Sequence, residues 1–159
     1  MLVLRNESMN EKRYISLVTY LHKNCDIISF LIPDFEYAEG VNYEDRIQQL
    51  MTVFEPFIVK NYKSDEYCFR KTEGLYNIYN VAFHRDLIKV LCSVQGLYNW
   101  IYPYFPEDLC FYKNGKCFLE SIAHEKECWI YTEDDVEIKA LEKLGLKFIT
   151  MPSEQAPTL

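Results

Sequence analysis

The chain has 159 residues, 49% of them apolar and 26% charged, with a formal net charge of -7. That length suits one domain, and the composition is that of an ordinary globular protein, neither disordered nor collagen-like. Apolar runs such as Phe57 to Val59 are too short to span a bilayer, and the acidic balance argues against general nucleic-acid binding, which needs Lys and Arg to neutralise phosphates.

In chain order, Met1 to Leu4 is too short for the apolar core of a signal peptide, and Arg5-Asn6-Glu7 follows at once. Met9 is a second candidate start, so residues 1–9 are expected to be an N-terminal extension and residues 10–150 the domain. A first helix begins near Asn10, because Tyr14, Leu17, Val18 and Leu21 form one apolar stripe; Asn24 ends it. Ile27 to Ile32 is a short apolar run closed by Pro33, readable as a buried strand or a continuation of the helix. An acidic loop follows to Asp45, and Ile47, Leu50, Met51 and Phe54 then carry a second helix that stops at Pro56.

Three extended segments come next: Phe57–Tyr62, Tyr67–Lys71 and Leu75–Phe83. The breaks at Lys63-Ser64-Asp65 and Thr72-Glu73-Gly74 suit an antiparallel meander. A third helix is expected from about Arg85 to Tyr102, ended by Pro103 and Pro106. Asn114-Gly115 is the favoured two-residue hairpin turn, since both positions need positive φ. It sets Lys113 opposite Lys116, Tyr112 opposite Cys117, Phe111 opposite Phe118 and Cys110 opposite Leu119. Glu127–Tyr131 is a third strand of this group. Thr132 caps a last helix with Val136, Ala140, Leu141 and Leu144 inward, and Gly145 stops it. Leu146–Ile149 is a last strand, and residues 151–159 form a flexible tail. The fold class is therefore α+β: one antiparallel sheet packed with about four helices.

Most catalytic signatures are absent. The five glycines are scattered, which removes the phosphate-loop and dinucleotide fingerprints. No cofactor is implied. Six cysteines without a signal peptide read as reduced thiols in a cytoplasmic protein. Cys110, Cys117, His124 and Cys128 have the ligand types of a zinc site, but their spacing is not that of a knuckle, and three thiols on one sheet face are core residues more simply. A Cys-His or carboxylate site of a small hydrolase or transferase is the enzymatic alternative.

Charge is distributed unevenly. From Glu120 to Glu142 there are eight acidic residues against Lys126 and Lys139, so this window carries -6 of the net -7. A second acidic stretch runs from Asp34 to Asp45. Thirteen tyrosines add amphipathic surface. The pattern reads either as plain solubility or as a face for a basic protein partner, with Asp34, Glu36, Tyr37, Glu39, Tyr43, Glu133, Asp134 and Asp135 as its contacts.

The stretch Tyr102-Pro-Tyr-Phe-Pro-Glu-Asp-Leu-Cys-Phe-Tyr-Lys-Asn-Gly-Lys-Cys-Phe118, with Ser121-Ile-Ala-His-Glu125 and the last helix, resembles a group of small cytosolic proteins of Gram-positive bacteria. In general form it also resembles the small acidic immunity proteins that neutralise polymorphic toxins. The resemblance implies an intracellular, non-enzymatic binder that blocks a basic toxin domain by occlusion. A mobile-element inhibitor of a host defence protein shares that physics. No active-site residues are carried over.

Overall fold

The computed structural model describes residues 1–34, 44–68, 70–152 and 156–159. Among the described residues, eight strands form a single sheet: β1 (Leu2–Leu4), β2 (Ile27–Pro33), β3 (Ile58–Tyr67), β4 (Arg70–Ala82), β5 (Glu107–Lys113), β6 (Lys116–Ile122), β7 (Glu127–Ile130) and β8 (Phe148–Thr150). Their order is β3-β4-β2-β5-β6-β7-β1-β8, and every pairing is antiparallel. The helices are α1 (Glu11–Asn24), α2 (Glu44–Phe54), α3 (Ile88–Cys92) and α4 (Asp135–Lys143). The α+β class is as read from the sequence. Among the described residues, no helix is long and apolar enough to cross a membrane.

Helix α1 is capped by Asn10, whose side chain accepts from the Arg13 N–H at 3.0 Å. Its stripe of Tyr14, Leu17, Val18 and Leu21 is buried against Ile28, Phe30, Phe111, Leu119 and Ile130 on one face of the sheet. A hydrogen-bonded chain ties this core together: Trp100 Nε1 donates to Tyr14 Oη at 2.8 Å, and Tyr14 Oη donates to the Leu91 carbonyl at 3.1 Å. Burial pushes the Tyr14 phenol well above its ordinary pKa.

Several expectations change. Residues 1–9 are not outside the domain, because β1 is paired on both sides, with β7 and with β8. The 151–159 tail is held at its end. Cys117 N–H donates to the Pro157 carbonyl at 2.7 Å, and Leu159 N–H donates to that of Gly115 at 3.2 Å. The expected helix from Arg85 to Tyr102 is instead a 3-10 turn at Arg85–Leu87, the short α3, and a second 3-10 turn at Leu97–Asn99. The helix stops at Cys92, and extended backbone at Gly96 opens the second turn, after which Leu97 and Trp100 are both in the core. Helix α4 is capped by Asp134, not Thr132. The later start turns its inward stripe to Ile138, Leu141 and Leu144 and leaves Val136 75% exposed.

Two strand errors matter most. The meander of three segments is one long hairpin, β3–β4: β3 continues through Lys63-Ser64-Asp65, while the break at Thr72-Glu73-Gly74 falls in an irregularity of β4, where residues 72–75 have no partner on β3 between the Ser64–Tyr76 and Glu66–Lys71 pairs. The β5–β6 register holds at Lys113–Lys116 and Tyr112–Cys117, with positive φ at Asn114 and Gly115. It then slips by one, so Phe111 faces Leu119 and Cys110 faces Glu120. The extra residue is Phe118; the bulge lets Phe118 and Leu119 both enter the helix-side core.

Replacing Tyr14 with Phe removes the acceptor of the Trp100 indole and leaves a buried donor unpaired. Denaturant unfolding of Tyr14→Phe is expected to show a loss of about 1–3 kcal/mol, against a smaller change for Tyr20→Phe, which is only half-buried.

Candidate functional site

The helices cover one face of the sheet. The other carries Leu31, Ile78, Cys110, Tyr112 and Cys117, also buried. Their cover is the outer half of the β3–β4 hairpin. β4 pairs with β2 only from Tyr76 to Ala82. Beyond Tyr76 the hairpin leaves the plane and lays its tip on β5 and β6. Tyr67 Oη donates to the Asp108 carbonyl at 3.2 Å. Cys68 Sγ lies 3.3 Å from Cys110 Sγ and 3.3 Å from Tyr112 Oη.

Arg70 fixes this contact. Its Nε donates to Glu120 Oε1 at 2.9 Å, and its Nη2 stands 3.5 Å from Asp108 Oδ2. The Arg70 side chain is 29% exposed, while both carboxylates are 4% exposed. Their remaining lone pairs are also used: Tyr131 Oη donates to Glu120 Oε2 at 2.8 Å, and Ala123 N–H donates to Asp108 Oδ1 at 2.8 Å. Asp108 holds this position with φ +55, a conformation that Asp tolerates better than most residues. Burial is the main cause that raises the Glu120 carboxyl to about 7, with the nearby Cys68 adding to it, against Tyr131 and Arg70. Burial likewise raises Asp108 and Glu107; the neighbouring Asp108 charge adds to the rise of Glu107, and His124 opposes it. Burial opposes the charge of Arg70, and the two carboxylates outweigh it.

A cavity of about 680 Å³ opens beside this clamp. Arg70, Lys71 and Tyr76 form one wall, Glu107 and Asp108 another, and His124 and Glu125 the rim. The two strings that carry the resemblance, around Glu107-Asp108 and His124-Glu125, thus meet at one cavity. His124 Nε2 and Glu125 Oε1 are 3.8 Å apart on exposed side chains, too far for a hydrogen bond.

The residues singled out from sequence fall in three places. Glu133, Asp134 and Asp135 lie together, exposed, at the start of α4, where Asp134 Oδ1 accepts from the Val136 N–H at 2.7 Å. Asp34 is apart from them and accepts from Lys63 Nζ at 2.6 Å and Asn77 Nδ2 at 3.2 Å, which lowers its pKa. Glu36, Tyr37, Glu39 and Tyr43 lie outside the described residues. The four candidate zinc ligands are split. Cys110 and Cys117 sit under the hairpin, Cys128 is in the helix-side core, and His124 is at the cavity rim. Among the described residues, no group of three or more His, Cys, Asp or Glu side chains is placed to hold a metal ion. His84 stacks on Phe57 and caps a 3-10 turn.

Arg70 and Glu120 were missed. Without the bulge, Glu120 falls on the opposite face from Cys110. The available signal was Phe118-Leu119, two adjacent large apolar residues where alternation should place one inward and one outward.

The clamp leads to two expectations. Arg70→Met strands two buried carboxylates and should cost about 3–5 kcal/mol at neutral pH; the deficit should shrink as pH falls and both take up protons. Glu120 has its folded pKa raised from 4.5 to about 7, so its contribution to stability is fully present below about pH 4.5 and is lost as pH rises through about 7. Glu120→Gln should flatten that decline, which is of order 3 kcal/mol, in denaturant midpoints measured from pH 4 to 8.

Comparison with protein-family models, curated proteins and solved structures finds no match for this chain.

Proposed function

We propose that this is a non-enzymatic protein-binding protein that occludes a basic partner, in the manner of an immunity protein against a toxin domain. The observation that carries the reading is the start of α4. Val136 is 75% exposed there, directly after Glu133, Asp134 and Asp135. An apolar anchor ringed by charge has the anatomy of an interface, with the anchor supplying affinity and the acids capture rate. The helix does not need this valine for its own packing, since its inward stripe is Ile138, Leu141 and Leu144. Lys113 Nζ donates to Glu137 Oε1 at 2.6 Å, and Thr132 Oγ1 donates to Glu137 Oε2, so the face is held firmly against the β5–β6 hairpin. A rigid face loses little entropy on docking.

A second reading has its own observation. The 680 Å³ cavity gathers Glu107, Asp108 and His124, and burial holds both carboxyls above their ordinary range. That is the pattern of a small carboxylate hydrolase. Under it, a panel of hydrolase substrates yields turnover that Glu107→Gln abolishes; under the first reading Glu107→Gln has no effect on partner capture.

The test of the first reading compares the tagged full chain with a Glu133→Lys, Val136→Asp variant, leaving the Asp134 cap in place. The wild type is expected to retain one basic protein stoichiometrically and to release it in salt. The variant, with an unchanged Tm, is expected to associate at least about tenfold more slowly at low salt. An unchanged association rate removes this face from the function, and capture of a neutral or acidic partner removes the charge argument. The identity of the captured protein separates a toxin from a host defence protein.

A further inference from the structure

The thiols beneath the hairpin tip take no part in the binding face. Cys68 follows β3 with φ +49. Its sulfur is half-buried, 3.3 Å from Cys110 Sγ. Cys110 and Cys117 are fully covered. Cys117 donates to the Leu119 carbonyl at 3.4 Å, so its thiol hydrogen is directed at the backbone of its own strand. Cys25 and Cys128 are buried in the helix-side core, and Cys92 lies on α3. The tip thus brings a half-buried cysteine, Cys68, within 3.3 Å of a fully buried one, Cys110.

We propose that Cys68 and Cys110 form a peroxide-oxidised dithiol site, in which Cys68 is the attacking thiol and Cys110 the resolving one. In the first step the Cys68 thiolate attacks one oxygen of a hydroperoxide. An S–O bond forms, the O–O bond breaks, and the leaving oxygen departs as water (or alcohol) after taking a proton, which leaves Cys68 as a sulfenic acid. In the second step Cys110 sulfur attacks Cys68 sulfur. The S–S bond forms, the S–O bond breaks, and the hydroxyl leaves as water with the Cys110 proton. Two thiols are oxidised to a disulfide and one hydroperoxide is reduced.

The surroundings suit each role. The hydrogen bond from Cys110 is the largest cause that holds the Cys68 thiol well below its ordinary pKa, against the opposing effect of burial; Tyr112 and Arg70 act in the same direction as Cys110. Burial, by contrast, holds Cys110 well above its ordinary value. One sulfur is thus poised as thiolate and its neighbour as thiol. The sulfurs need to approach by little more than 1 Å to reach a bond length of about 2.05 Å. The bridge would tie the hairpin tip to β5 across 42 residues of sequence.

The experiment uses the reduced full chain, freed of reductant and titrated with hydrogen peroxide, followed by denaturing alkylation and peptide mapping. The expected result is loss of two of the six thiols and a single crosslinked pair joining Cys68 to Cys110. Cys110→Ser should accumulate a sulfenic acid at Cys68 that dimedone traps. Cys68→Ser should lose thiols about tenfold more slowly or worse, and Cys92→Ser should leave the bridge yield unchanged. Retention of all six thiols at peroxide levels that oxidise free cysteine overturns the proposal. So does a bridge between any other pair, or wild-type oxidation kinetics in Cys68→Ser. The wild-type map alone decides the pairing if a serine variant fails to fold.

Discussion

The guanidinium of Arg70, held between Glu120 and Asp108, is the constraint on which the architecture turns. A sheet with helices on one face leaves the other face to water unless something covers it. Here that face is too apolar for water: Leu31, Ile78, Cys110, Tyr112 and Cys117 are all buried. The chain covers it with its own longest hairpin, which has to leave the sheet plane and cross two strands. Apolar contact from Tyr67 and Cys68 favours the crossing but does not fix where the tip lands. The ion cluster does. A one-residue slip of β4 would take the guanidinium from two buried carboxylates and leave their charges unanswered, a far larger penalty than any apolar mismatch. A buried charge cluster rarely exceeds an apolar core of the same shape in net stability, so its contribution here is best understood as register.

How much of this was legible depends on the range of the interaction. Helix α1 was readable because Asn10, Tyr14, Leu17, Val18 and Leu21 report on one another within a few turns. The Asn114-Gly115 turn was readable because positive φ is a local demand. The order of the sheet was not, since nothing near Leu2–Leu4 says that it pairs with residues about 130 and 150. The Phe118 bulge lies between these cases. Its cause is local, two bulky residues side by side, but its effect is felt along the strand, where it moves Glu120 to the face of Cys110. The site followed the same rule. The acids at Glu133–Asp135 were visible as a run, whereas Arg70, Asp108 and Glu120 come from three strands and are joined only by the fold.

The helix stripe of α4 shows how a small error in a boundary becomes an error in function. With Thr132 as the cap, Val136 counts as core. With Asp134 as the cap, the helix starts two residues later and Val136 is turned out among the acids. Thr132 keeps a role, since its hydroxyl accepts from the Asp134 N–H at 3.1 Å and donates to Glu137, so it shapes the turn before the helix without capping it. The same residues that look like a solvated helix start in sequence thus present an apolar residue that the fold itself does not use.

The hairpin tip gathers two kinds of bond, one electrostatic and one between thiols. Burial resists ionisation of Glu120 while Arg70 and Tyr131 favour it, so the attraction between Arg70 and Glu120 strengthens as Glu120 ionises even as the cost of burying its charge grows. The thiol pair reacts through the Cys68 thiolate, which the Cys110 thiol favours. Both act on the short stretch from Tyr67 to Arg70. Because Arg70 also forms a wall of the cavity, any change in how the tip is held is a change in the shape of that cavity. The cover of the sheet's second face, the thiol pair and the cavity wall are one element seen from three sides.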